Sequence, residues 1–495
     1  MDFDEIPYDW LEPGTFLEVK PNYRNAGVFA WPEKAMIAGQ KLAAGTLAPG
    51  QIIEVTRAAE GDVLFGRGSV GAKMVKAFRD ANKVTPLYVT ALADAEGAVK
   101  STGTFTFVGA ASSAVVLRFR IGGRQVRFTA LTSDNVTAMA TKLAAAINAD
   151  LDMEVTAASA AGVVTCTARH GGEVGNEIDL RVDTDVQPVP SGLTITVAAM
   201  AGGAGNPSVQ SVLDLLTNTW ITKLVTPWAD ATNLGLLATW LTARYTAMSK
   251  LDCHGFTFKR GTFGELSTFG NLTNCPFLTC GGMKASPTPA YTIAATAMAI
   301  ASFHLTNDPA RQLRSLVLPG VMAPAAADQF TDEEKNLLLN RGISTFDHLS
   351  DGTTTISRMI TTYKTSNLGA ADRAWLDIMV PATASRIRYD WALYVSLLYP
   401  RAKLVDDDDV AALVRRDDDD TDPGTAVVTP GRMHASWGAR CKLYGEKVWI
   451  ENVSQKIRES VFQRSTDDRQ RLESRQKISI AGNLMVLAGS LEFDA

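Results

Sequence analysis

Several things are missing from this sequence, and each absence removes a class of protein. No stretch approaches the roughly 18–20 consecutive apolar residues of a membrane-crossing helix. The most apolar helical candidate, 291–305, is short and alanine-rich and suits a buried core helix. Basic charge is not in excess: 48 Lys and Arg stand against 53 Asp and Glu, for a net charge of −5. No electrostatic footprint for nucleic acid follows from that balance. Cysteine is sparse, with five residues (Cys166, Cys253, Cys275, Cys280 and Cys441). Their odd number and loose spacing argue against a disulfide framework and for free thiols in a reducing compartment. Cys275 and Cys280 could form half of a tetrahedral metal site, and His254 stands beside Cys253, but no matching second pair follows. The opening MDFDEIPYDWLEPG is acidic and has no apolar h-region, so it does not read as a secretory signal. A G-x-S-x-G nucleophile elbow is also lacking. His254, His304 and His348 have apolar or Thr/Asp neighbours and read as structural. The expectation is a chain with no catalytic residue, cofactor or metal.

What is present is a long chain of ordinary globular composition, 495 residues with 46% hydrophobic and 20% charged. At roughly 150 residues per domain it holds about three domains. Residues 1–25 read as an N-terminal arm. A turn at Pro13-Gly14 leads into a short alternating strand from Thr15 to Lys20. Residues 26–97 read as α/β, with a helix over Ala72–Asn82 and a strand over Pro86–Leu92. Gly66-Arg67-Gly68-Ser69-Val70-Gly71 matches G-x-G-x-x-G, but no acidic residue closes the next strand, and Asp94 falls beyond its end. A turn that caps a helix is the better account. Residues 98–205 change character: alternating strands surround one helix, Asp134–Asn148, capped by Asp134. This segment reads as an inserted β-rich α+β domain.

From 206 to 330 helix and strand alternate, which argues for a parallel sheet covered by helices. Residues 331–474 form the next segment. Within it Asp351-Gly352 joins two alternating runs, Gly342 to Tyr363, a strong hairpin signal. Trp375–Leu398 reads as a long helix broken around Pro381. Acidic runs at Asp406–Asp409 and Asp417–Asp420 read as solvated loop and lack the ligand order of a calcium loop. Whether they bind ions stays open. Pro430–Glu446 is helical. Residues 475–495 form a terminal arm that carries Ile478, Ile480, Leu484, Val486 and Leu491 with few charges. A terminus frays unless something holds it. So apolar a terminal strand calls for a partner sheet, and a second copy of the chain is the expected partner. Gly482-Asn483 divides the stretch, so one half alone, Lys477–Ala481 or Leu484–Ala488, would pair. The fold class is thus an α/β core of alternating helix and strand, an inserted β-rich α+β domain and extended terminal arms.

Four of these features together resemble contractile phage tail sheath proteins, most closely the Mu-like group. They are the arm Glu12-Pro13-Gly14-Thr15-Phe16-Leu17-Glu18-Val19, the glycine-rich lead of Gly66–Phe78, the Gly342–Tyr363 hairpin and the strand that ends the chain. The resemblance implies a non-enzymatic building block of the virion tail, assembled in the host cytoplasm. It would stack with itself as six-fold rings in a helical sheath. Its partners would be a tail tube protein and the baseplate and tail terminator proteins, with no direct nucleic acid and no membrane insertion. A trigger at the baseplate would release a metastable sheath, which shortens and drives the tube through the host envelope. Tube contacts would come from the region around Arg432–Arg464. Terminal strands would exchange between subunits through Phe16, Leu17, Val19, Ile478, Ile480, Leu484 and Val486. They would add to the hairpin residues Ile343, Phe346, Ile356 and Ile360. Another self-assembling surface protein or a subtilisin-like hydrolase remain the alternatives.

Overall fold

The computed structural model describes residues 11–17, 27–184, 187–413 and 427–492. The chain divides into a core unit, Pro32–Asn307 with Arg311–Pro381, and a terminal unit, Met1–Trp31, Asp308–Ala310 and Ala382–Ala495.

The core unit opens with β1 (Ala35–Gln40), β2 (Ile53–Val55), α1 (Ala58–Phe65), α2 (Val70–Ala81) and β3 (Leu87–Leu92). Every residue of β1 is buried, the pattern of a strand covered on both faces. Ser69 caps α2 by accepting from the Ala72 amide, and Gly71 lies so close to the Phe65 ring that a Cβ there would sit 2.1 Å from it. Next come β4 (Lys100–Gly109), β5 (Val115–Ile121), β6 (Arg124–Ala130), α3 (Val136–Ala149), β7 (Val155–Ala160), β8 (Val163–Gly171), β9 (Leu180–Val182) and β10 (Leu193–Ala201). They make a four-stranded sheet, β10-β4-β8-β7, and a three-stranded sheet, β6-β5-β9. Phe105, Phe107, Phe119, Phe128, Met139, Leu143 and Ile147 fill a core between them. The cap of α3 is Asn135, one residue later than expected. Asp134 instead accepts from the Leu131 amide and pairs with Lys142.

The alternation then resumes: α4 (Gln210–Leu215), β11 (Lys223–Val225), α5 (Ala231–Arg244), β12 (His254–Arg260), α6 (Phe263–Gly270), β13 (Leu278–Met283), α7 (Ala290–Asn307), β14 (Val317–Met322), α8 (Asp332–Asn340), β15 (Ile343–His348) and β16 (Thr353–Arg358). One nine-stranded sheet collects them in the order β14-β16-β15-β13-β12-β11-β1-β3-β2. Its centre is parallel, and β15 and β16 form the antiparallel hairpin read from Asp351-Gly352. Here the structure corrects the expectation for that hairpin. It does not stand open beside the terminal segment. β13 covers the free edge of β15 and β14 covers that of β16. Ile343, Ile356 and Ile360 are fully buried and Phe346 nearly so. These four side chains pack the subunit's own core, and β13 and β14 pair along part of each hairpin edge.

Charged side chains tie the two smaller sheets to the large one. Glu154 is buried and bonded to both Lys73 and Tyr291, and Asp179 pairs with Arg260 at the end of β12. The Glu177 carboxylate accepts from the Arg260 amide at 2.9 Å. Burial outweighs that bond and pushes the Glu177 carboxyl from 4.5 up to about 7. An acid with a raised folded-state pKa keeps its proton in the fold while the unfolded chain has already ionised. Stability is therefore lost as pH rises from about 4.5 towards 7. Glu177→Gln is expected to flatten that slope and to raise the thermal midpoint at pH 8 relative to wild type. Melts at pH 5 and pH 8 check both, and an unchanged slope would remove Glu177 as its source.

Candidate functional site

The terminal unit contains α9 (Met379–Leu398), β17 (Lys403–Leu404), β18 (Val427–Val428), α10 (Pro430–Glu446), α11 (Val453–Glu459), β19 (Val461–Arg464) and β20 (Leu472–Arg475). α9 starts two residues before Pro381, not before a break at it. In the first turn a proline loses no helical hydrogen bond. Thr429 caps α10, with Pro430 as its first residue. The buried face of α10 carries Met433, Trp437, Arg440, Cys441 and Tyr444 at helical spacing.

Arg440 sits on that apolar face because Asp390 of α9 waits for it. Both side chains are almost wholly buried. The guanidinium donates to Asp390 Oδ2 through Nε at 3.0 Å and through a second nitrogen, and the Tyr444 hydroxyl donates to the same oxygen. Asp390 Oδ1 accepts from the Phe29 amide at 2.8 Å, while Arg440 also donates to the Gly27 carbonyl at 3.3 Å. The Phe29, Tyr394 and Tyr444 rings surround the cation. Burial alone would lower the arginine's pKa, but the Asp390 bond and charge reverse the sign and raise it. The Tyr444 phenol is held far above its ordinary range by burial and by Asp390. This network pins residues 27–29, the point where the N-terminal arm joins the fold.

Tyr444 also begins the anchor of the other end. The Trp449 amide donates to the Tyr444 carbonyl at 3.0 Å and the Val448 amide to the Gly445 carbonyl at 2.8 Å, which together are the Schellman closure of a helix. The Trp449 and Tyr444 rings stack at 6.0 Å. The chain then runs as a rail, Trp449–Glu451. The terminal segment lies antiparallel on it, with Ile450 opposite Ile480. The Glu451 amide donates to the Ser479 carbonyl at 2.8 Å and the Ala481 amide to the Trp449 carbonyl at 3.0 Å. Ile478 packs on the cluster of Trp437, Tyr444, Trp449 and Ile450. The Asn483 side chain donates to the Ala310 carbonyl at 2.8 Å. Beyond it Leu484, Val486, Leu487 and Leu491 are exposed, by 72%, 79%, 86% and 96%. At the other end Leu11, Phe16 and Leu17 are exposed as well.

β19 and β20 form an antiparallel pair, Val461 opposite Arg475 through Arg464 opposite Leu472. Among the described residues no third strand joins them. Phe462 turns inward, 5.8 Å from the His434 ring and 6.5 Å from Trp391. Arg464 reaches Asp406 at 2.7 Å, and Asp407 accepts from the Gly431 amide in the first turn of α10. The first acidic run is thus committed to a salt bridge and a helix terminus, where carboxylates are favoured. The second run lies outside the described residues.

The sequence expectations for this site divide accordingly. Ile478 and Ile480 belong to the subunit's own fold, held by the rail. Leu484 and Val486 lie on the outer, exposed half. Phe16 and Leu17 are exposed but not in a strand, and Val19 lies outside the described residues. Three of the four arginines of the 432–464 window are engaged within the chain: Arg432 with the Val427 and Ala412 carbonyls, Arg440 with Asp390, Arg464 with Asp406. The β19–β20 pair was not anticipated. Its signal was a four-residue alternation, Val461-Phe462-Gln463-Arg464, inside a charged stretch of the 331–474 segment. Asp390 and Arg440 were missed too, though Arg440 is a lone charge on the buried face of α10.

The dinucleotide-like glycines are structural. The Val70 amide at the start of α2 donates to His170 Nε2 at 3.3 Å. Asp94 holds the other ring nitrogen at 2.7 Å and the Gly171 amide at 2.7 Å. The chain's own side chains therefore fill the place where a phosphate would meet the helix. His254 is buried against the Thr279 hydroxyl at 2.8 Å, and burial holds its pKa well below 6.5. The five cysteines are buried. No helix among the described residues is long and apolar enough to cross a membrane.

Comparison with known proteins gives this architecture a family. Residues 202–362 match the family model for the phage tail sheath protein central domain, a span that includes the β15–β16 hairpin. Over 431 residues the chain is 31% identical to a curated sheath protein, covering 87% of this chain and 86% of the other. The chain belongs to the phage tail sheath protein family, whose members are structural subunits of the tail. That relative is the Mu-like prophage FluMu tail sheath protein of Haemophilus influenzae. Two solved structures align along most of the chain at 10% identity. They are the sheath tail proteins of Listeria innocua (TM-score 0.48, 92% of this chain and 94% of that one) and Desulfitobacterium hafniense (0.47, 91% and 93%).

Removing one partner of the Arg440–Asp390 pair strands a buried charge, which typically costs about 3–5 kcal/mol. Arg440→Ala is expected to show that loss in urea unfolding. Joint replacement, Arg440→Met with Asp390→Leu, is expected to lose much less, because no charge is then left unpaired.

Proposed function

We propose that this subunit builds a contractile sheath by strand exchange, in which the arms of one copy complete the β19–β20 sheet of another. The observation that carries this is the pairing of two unmet needs. Among the described residues β19 and β20 pair only with each other, and Leu11, Leu17, Val486, Leu487 and Leu491 are exposed towards the two chain ends. A lone hairpin is marginal in water, and its edges recruit strands. A docked arm would make about five ladder bonds at a net ~1 kcal/mol each. It would bury Val486, Leu487 and Leu491 at roughly 1.5–3 kcal/mol each. Ordering the arm costs roughly 1–2 kcal/mol per residue, so each link is modest and a lattice of them is strong. The receiving sheet is β19–β20, in place of the β15–β16 hairpin expected from sequence.

The wider reading follows from the family. Copies stack as six-fold rings around an inner tube protein, between a baseplate and a terminator, in the virion tail, after assembly in the host cytoplasm. Residues 98–205, with their own sheets and core, serve as the inserted outer domain. Contraction needs no nucleotide, since the energy is stored in assembly, and arm backbones act as hinges while subunits rotate.

Deleting residues 484–495 is expected to leave a folded monomer that forms no tubes by negative-stain microscopy; tubes from the truncated chain would refute strand exchange. Val486→Asp should block assembly with the thermal midpoint unchanged. Ile480→Asp, on the rail, should lower the midpoint as well. Equal thermal losses in the two variants would place the outer half inside the subunit.

A further inference from the structure

The three-stranded sheet β6-β5-β9 buries one face and shows the other. Along β5 the side chains alternate: Leu117, Phe119 and Ile121 enter the domain core, while Arg118 and Arg120 turn the other way. Arg127 of β6 stands directly opposite Arg118, and Arg181 of β9 directly opposite Arg120. Both cross-strand pairs set like charges against each other, an arrangement that destabilises a sheet. Acidic side chains answer only part of this charge. Asp183 meets Arg120 Nε at 2.8 Å, and Asp179 is shared between Arg181 and Arg260. Among the described residues no ion pair reaches Arg118 or Arg127, and the buried Arg118 Nε has no hydrogen-bond partner. Beside Arg120 and Arg181 lies a cavity of about 640 Å³, which Ala323–Ala326 and the β15–β16 turn also line.

The chain itself carries the complementary charge. Asp417-Asp418-Asp419-Asp420-Thr421-Asp422 places five carboxylates in six residues. The other acidic run is already committed, through Asp406 to Arg464 and through Asp407 to the start of α10. The two flanks of the 417–422 run are held together. Arg432 donates to the Ala412 carbonyl before it and to the Val427 carbonyl after it, both at 2.6 Å. A chain that leaves and returns at one place extends over half its contour, here roughly 25 Å at about 3.3–3.6 Å per residue. Its carboxylates therefore reach only a copy in direct contact.

We propose that the arginine face of the β6-β5-β9 sheet is the docking site for the acidic segment Asp417–Asp422 of a neighbouring copy. This rests on the sheath reading given above, which brings copies together. Guanidinium and carboxylate meet in two parallel hydrogen bonds, and complementary charge fixes which surfaces of two copies face each other. The like-charged pairs that weaken the sheet within one subunit are neutralised when the segment arrives. Nucleic acid is the lesser fit, since four arginines stand on a chain whose net charge is −5.

The test uses the full chain, at concentrations where sedimentation shows no polymer, and a fluorescent peptide of residues 417–424. Wild type is expected to bind the peptide at low salt, with binding lost as salt screens it. Arg127→Glu should weaken binding about tenfold and keep or raise the thermal midpoint, because it faces Arg118 with the opposite charge. In polymerisation, Arg118→Glu with Arg127→Glu should raise the critical concentration about tenfold, as should Asp417→Lys with Asp419→Lys. All four substitutions in one chain should bring it back towards wild type. No binding by wild type, equal binding by Arg127→Glu, or no recovery in the fourfold variant would overturn the docking site. An oligonucleotide of equal charge that binds the face more tightly than the peptide would overturn the occupant. Wild type that binds the peptide but forms no polymer would overturn the sheath reading and leave the docking site standing.

Discussion

The terminal unit depends on one buried carboxylate. Asp390 lies wholly out of water, and everything that satisfies it has a further task. Arg440 neutralises it from α10, the Phe29 amide brings in the chain that follows the N-terminal arm, and Tyr444 passes its position to Trp449 and the rail. A charge in such a place is expensive unless every lone pair is met. That cost is what makes the arrangement specific, because a shift of any of the three partners exposes the carboxylate to an apolar surround. Both ends of the chain thus take their departure points from a single side chain.

From that anchor the two ends are treated alike: a fixed root and an apolar tip. At the C-terminal end the division falls at Gly482-Asn483. The inner half is paired with Trp449–Glu451, and the outer half carries exposed aliphatics. In the core unit the reverse holds. Its hairpin has a strand neighbour on both sides, its isoleucines are buried, and the start of α2 is met by His170, which Asp94 holds. The hairpin of the core is paired within the chain, whereas the terminal segment ends in exposed aliphatic side chains.

Much of the core was legible because its signals are local. Alternation of helix and strand read as a covered parallel sheet, and Asp351-Gly352 read as a turn. What flanks a hairpin is not local. β14, which covers β16, contains Pro319 and Gly320, residues that argue against a strand, and it pairs with an irregular register. An edge position tolerates that proline, but only the sheet reveals that the position is an edge. The terminal site was harder. β19 and β20 are four residues each within a charged stretch, too short for periodicity to stand out. Asp390 and Arg440 are 50 residues apart, and no spacing rule joins them. The apolar terminal strand was recognised as needing a partner, yet its division into a held and an exposed half depended on the rail.

The two-stranded β19–β20 sheet has a consequence for how an assembly of this chain would be limited. If the arm of one copy enters the sheet of the next, donor and acceptor are different surfaces. Such a heterologous contact closes only when the rotation between copies returns to its start, and otherwise continues indefinitely. Each copy that joins then presents a fresh sheet and a fresh arm, so the last subunit added is as receptive as the first. The length of such a polymer is not encoded in the subunit. It must be imposed from outside, by a template that runs out or by a cap that occupies the final acceptor without offering another.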